Sequence, residues 1–109
     1  MEPVLEVVEG LKSRIGKSQS ISGVFIYDSD RGFLCSDSGG KLTKEIEIFH
    51  PDLLKSLFKI APAYGGGPDL YKGRAWFTGT LLKSSNFRAA LSDVQAMSIE
   101  CDGKKLIVI

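Results

Sequence analysis

Four groups of residues come close to the types and spacing that chemistry requires. The first is Gly10-Leu11-Lys12-Ser13-Arg14-Ile15-Gly16-Lys17-Ser18, which nearly spells a phosphate-binding loop. Such a loop needs four residues between its glycines and a following helix whose N-terminus holds the phosphates. Here five residues separate Gly10 from Gly16, and a strand pattern follows. The segment therefore reads as a helix end with a glycine stop and a basic last turn. The second group is acidic. Glu45 and Glu47 share one face at strand period, and outward exposure accounts for them; Asp28 and Asp30 sit in a turn that favours aspartate. The third is Cys35, Cys101 and His50, the single histidine. No Cys-x-x-Cys spacing supports zinc, so neither a metal nor a cofactor is expected. With no evident carboxylate pair or Cys/His dyad for acid–base or nucleophilic work, the expectation is that the chain is not an enzyme.

The fourth group suits binding. Stacking on a nucleic acid needs aromatics among cations. The candidates are Tyr27, Phe33, Trp76 and Phe87, with Lys41, Lys44, Arg74 and Arg88. The best of them is Trp76 beside Arg74. The formal net charge is only +1, so the electrostatic footprint of a protein living on nucleic acid or anionic membrane is missing. Glu45 and Glu47 would also repel phosphates from the third strand.

The elements that must position these residues are legible from periodicity. Gly73-Arg74-Ala75-Trp76-Phe77-Thr78-Gly79-Thr80-Leu81-Leu82 reads as the central strand, within 70–82. Ala75, Phe77 and Leu81 face one way; Arg74, Trp76, Thr78 and Thr80 face the other. Gly79 implies a bend or a close approach. Ile21-Ser22-Gly23-Val24-Phe25 repeats the same order, so two strands carry matched kinks of the kind a small closed sheet needs. Residues 3–15 predict a helix, from Pro3 at its start and Val4, Val8, Leu11 and Ile15 at helical spacing. Strand is the competitor over 4–8. Trp76 is expected under that helix, with solvent exposure or a partner interface as the alternatives.

Further strands are expected at 20–27, 33–36, 44–49, 95–100 and 105–109, with Ile46 and Ile48 inward and Glu45 and Glu47 outward. Residues 89–94 read as a helical turn or the run into the next strand. A helix is expected over 51–61, with Pro51 at its start, Leu53, Leu54, Leu57, Phe58 and Ala61 as its apolar face, and Pro62 as its stop. Asp28–Gly32, 37–41 and 83–88 read as turns or loops, and Tyr64-Gly65-Gly66-Gly67-Pro68 as a flexible connector. Asp102-Gly103 signals a two-residue hairpin.

Length and composition fit one domain, 1–109, with 1–16 as the N-terminal helix and 20–109 as the barrel. The chain has 109 residues, 43% apolar and 25% charged, ordinary globular values. No apolar run approaches the length of a membrane span, and Met1-Glu2-Pro3 does not open a secretory signal. Two free thiols in a cytoplasmic protein is the reading of Cys35 and Cys101, with a disulfide as the alternative.

Three strands, a helix, then two strands is a layout that resembles the OB-fold, carried by the 21–25 and 77–81 segments with the 51–61 helix between them. The fold class expected is thus mainly β with two helices, α+β: a five-stranded OB-like barrel with an added N-terminal helix and a C-terminal hairpin strand. The resemblance implies a binding role, since OB-folds mostly bind oligonucleotides, oligosaccharides or proteins. A non-enzymatic module with a protein partner is the first expectation, and a single-stranded nucleic-acid module the alternative. Tyr27, Phe33, Arg74, Trp76, Phe87 and Arg88 are the candidate binding residues.

Overall fold

A computed structural model describes residues 1–28, 31–60, 71–101 and 103–109. The Tyr64–Pro68 connector, Asp30, Ala61, Pro62 and Asp102 fall outside the described residues.

The chain is organised by a ring of five strands. β1 (Glu2–Pro3) is a two-residue strand lying parallel to β2 (Ser18–Asp28). β2 pairs antiparallel with β3 (Arg31–Ser38), and β3 with β4 (Lys41–Ile48). After the helix α2 (Leu53–Ile60), β5 (Tyr71–Leu82) returns to pair with β2 along its length. β6 (Ala89–Cys101) then lies antiparallel to β5 and parallel to β4, which closes the ring. β7 (Lys104–Ile107) folds back on β6, with Cys101 opposite Lys104.

The inside of the ring is the core. Phe25, Leu34, Ile46, Ala75, Phe77, Leu81, Leu91, Met97 and Ile99 are buried there, and Phe25 and Phe77 stack with centroids 5.5 Å apart. The inward set expected for the central strand is the observed one. The matched glycines sit at points of close approach. A Cβ at Gly79 would lie 2.8 Å from the Ser92 carbonyl oxygen, and one at Gly23 would lie 3.1 Å from the Cys35 oxygen and 3.0 Å from Val4. At Gly79 the β5–β6 register also breaks: Thr78 faces Ala96, whereas Thr80 faces Ser92. Within that bulge Asp93 takes a left-handed backbone, φ 49°.

The N-terminus departs from the expected helix over 3–15. The helix α1 runs only Val4–Glu9, and a single 3₁₀ turn, Leu11–Ser13, follows. Gly10 between them costs helix stability, and the buried set is Val4, Val7 and Val8 instead of the even spacing to Ile15. α1 drives these valines into the common core and packs against β1, β2 and β3. It does not form the outer cover expected for Trp76.

The outward exposure expected for Glu45 and Glu47 is also corrected: both are buried, at 8% and 7%. Alternation into solvent assumes a sheet with one wet face. Here the outer side of β2–β4 carries a second small cluster of Ile26, Phe33 and Cys35, with Val24, Leu42 and Phe87 packed on it. Glu47 faces Phe33 across the β3–β4 ladder, and Arg31 approaches it to 3.6 Å. Glu45 is the residue skipped where the ladder shifts register, from Leu34–Ile46 to Cys35–Lys44. α2 starts at Leu53, later than Pro51, and buries Leu53 and Leu57 while Phe58 stays exposed. No disulfide joins Cys35 to Cys101.

Candidate functional site

The six candidate residues fall in four separate places. Tyr27 points inward: it is buried in the main core with its ring 6.5 Å from that of Phe25. Its register on β2, opposite Gly32 and Tyr71, sets it on the inner face, where it also lines a groove beside α2. Phe33 and Phe87 do meet, with centroids 4.9 Å apart, but as the packing of the second cluster. Lys44 stands over Phe33 at 4.5 Å and is held there by Asp28 at 2.9 Å. Arg88 serves the scaffold: its guanidinium donates to the Val8 carbonyl at 3.0 Å and so ties the β5–β6 connection to α1.

Arg74 and Trp76 remain together on the surface. Alternate residues Lys72, Arg74 and Trp76 share the outer face of β5, and Trp76 is half-buried. Two cations flank the ring: Lys105 Nζ lies 4.4 Å from its centroid and the Arg74 guanidinium carbon 5.8 Å. Lys105 was not in the candidate set. It arrives only because β7 folds back on β6, which no local pattern reveals.

A second surface holds only Tyr27 of the six candidates. Between α2 and the end of the ring lies an open groove of about 1000 Å³. Ile48, Phe49, Leu54 and Phe58 form its apolar lining, and Arg31, Glu47, Asp52, Lys55 and Lys59 bring both charge signs to it. Phe49 and Phe58 are 51% and 49% exposed, large values for such side chains. His50 lines the groove too, and its carbonyl accepts the Leu53 amide at 3.2 Å to open α2. The signal for the groove was present in the sequence. The apolar face expected for α2 is wider than the side it buries: Leu53 and Leu57 are covered, while Leu54 and Phe58 at its edge are left to line the groove.

The near-miss phosphate loop holds no anion nest. The amides that would face a phosphate are already used: Gly10 N–H donates to the Glu6 carbonyl, Gly16 N–H to Leu81 at 2.7 Å and Lys17 N–H to Arg14. Arg14 pairs with Glu2 and donates to Gln19. Among the described residues no three His, Cys, Asp or Glu side chains group as metal ligands, and no helix is long and apolar enough to cross a membrane.

One titration is displaced. Burial raises the Tyr71 phenol above its ordinary value of 10.0, and Cys101 beside it acts in the same direction. Both line a small recess at the end of β5 and β6, with Phe25 and Ile99. The surroundings are those of a packed core end. Comparison of the chain with protein-family models, with curated proteins and with solved structures gives no match in any of the three.

Proposed function

We propose that the ring is an OB-like barrel and that the chain is a non-enzymatic binding module for a protein partner. Support for the barrel reading comes from the connectivity: a five-strand ring with its helix between the third and fourth ring strands, closed by the parallel β4–β6 pair. The observation that carries the partner reading is the groove beside α2. An apolar floor with exposed Phe49 and Phe58, rimmed by Asp52, Lys55 and Lys59, has the composition of a protein interface with an apolar centre and a polar rim. It is open along one side, which suits a protein segment better than an enclosed small ligand.

The test places a photo-reactive amino acid at Lys55 in the full chain, inside the cell. A discrete protein adduct that disappears on Phe49→Ser or Phe58→Ser supports the reading. Adducts no different from those formed at Lys12, remote from the groove, would overturn it.

A further inference from the structure

We propose that the outer face of β5–β6–β7 around Trp76 is a second docking surface, and that it takes a protein segment carrying carboxylates beside an apolar side chain. It rests on the preceding reading only for the class of partner, because it shares no residue with the groove beside α2.

Three strands build the surface in register. Trp76 faces Ser98 on β6, and Ser98 faces Ile107 on β7. Ile107 is 73% exposed and Trp76 half-buried, so two apolar side chains lie open on this face with Ser98 between them. Cations stand around them: Lys72 and Arg74 precede Trp76 on its face of β5, and Lys105 reaches over the ring from β7. Lys105 lies directly across the ladder from Glu100, yet its ammonium sits on the Trp76 ring and forms no ion pair with that carboxylate. Among the described residues none of Lys72, Arg74 and Lys105 is ion-paired. The chain as a whole is nearly neutral, at +1. Three unpaired cations beside two carboxylates, Glu100 and the Asp37 that lines a recess with Lys72 and Arg74, leave a local excess of positive charge.

Such a patch attracts anions, and its geometry selects among them. Carboxylates reaching Arg74 and Lys105 would meet donors already anchored by an aromatic ring, while an apolar side chain covers Trp76 and Ile107. A nucleic acid is a poorer fit. It needs a track of cations along a backbone and successive rings on which bases stack. Here the one surface ring has Lys105 on it, Phe33 and Phe87 are packed against each other elsewhere, and Glu100 stands inside the patch.

Trp76 is the only tryptophan, so its emission reports directly on the site. The full chain is titrated with a short peptide in which aspartates flank two leucines. Parallel titrations use the same peptide with asparagines and an oligothymidylate of equal charge. The proposal expects a saturable emission change with the acidic peptide. Arg74→Glu or Lys105→Glu should weaken it about tenfold or more. Lys12→Glu, in the 3₁₀ turn outside this surface, should leave it unchanged. Equal binding of the asparagine peptide, tighter binding of the oligothymidylate, or equal weakening by Lys12→Glu would each overturn it. Phe58→Ser separates the two surfaces. In that variant the Lys55 adduct should be lost and the titration intact. A chain with Phe58 in place that gives no discrete Lys55 adduct but an intact titration defeats only the groove, and a flat titration with the adduct present defeats only this site.

Discussion

At Gly79 a single hydrogen atom stands where any side chain would collide. A Cβ there would sit 2.8 Å from the Ser92 oxygen and 3.0 Å from Leu91 Cγ, both on the neighbouring strand. Gly79→Val should therefore lower stability by about 2–4 kcal/mol, read by denaturant or thermal unfolding. An unchanged midpoint would mean that β5 and β6 can part at the bulge without cost. Trp76 makes the opposite case. It is half-exposed and outside the core, so Trp76→Ala should cost about 1 kcal/mol, well below a buried large-to-small change. A loss of several kcal/mol would mean the ring is structural and would remove it from the binding surface. Tyr71 supplies a pH dependence. Its phenol ionises at a higher pH in the folded chain than in the unfolded one. Its contribution is thus complete below pH 10.0 and is lost as pH rises through the folded value, because the unfolded chain releases that proton first. In an alkaline absorbance titration Tyr71→Phe should delete a late-ionising step. Loss of an ordinary step instead would contradict the burial of that phenol.

Among the elements, α1 shows most clearly what sequence periodicity reaches and where it stops. Val4 and Val8 were legible as an apolar stripe, and both are buried. Leu11 and Ile15 also pack on the core, but from a 3₁₀ turn and the bend after it, so their contacts are right and the continuous helix is wrong. Gly10 weighs against a continuous helix, and burial of the adjacent pair Val7 and Val8 sets the orientation of the short one. Val7→Ala should cost about 2 kcal/mol by loss of two buried methyl groups and the space they leave. The Trp76 emission maximum should stay unchanged, since α1 packs on β1, β2 and β3. A shift in that maximum would restore the helix as its cover. β4 shows the complementary limit. Its alternation placed Ile46 and Ile48 correctly, but alternation says nothing about what lies over the outer face. Glu47 lies opposite Phe33 with Arg31 beside it, and Phe87, from the β5–β6 connection far along the chain, packs on that same ring.

For the molecule as a whole, strand existence was readable because it is local, and closure into a five-strand ring was expected from the matched glycines, while the particular pairings that close it were not legible. The order of strands and the α2 position followed from period and turn chemistry. The β2–β5 and β4–β6 pairings, the arrival of Lys105 at Trp76 and the groove beside α2 all depend on residues distant in sequence. Global charge sets one more expectation. At a net +1, single-stranded DNA or RNA should bind weakly at physiological salt, with a shallow dependence on salt concentration. Sub-micromolar affinity with a steep dependence would replace the protein partner with a nucleic acid. The ring also has unequal seams. β2 and β5 pair over ten positions, whereas β4 and β6 meet over three: Ile46–Ala89, Glu47–Ala90 and Ile48–Leu91. Free energy of opening follows how much structure must be broken. The closed sheet is then a bracelet with a clasp. Deuterium should enter the backbone amides of that short junction sooner than those shared by β2 and β5, and the groove beside α2, lined by Glu47 and Ile48, lies at the clasp itself.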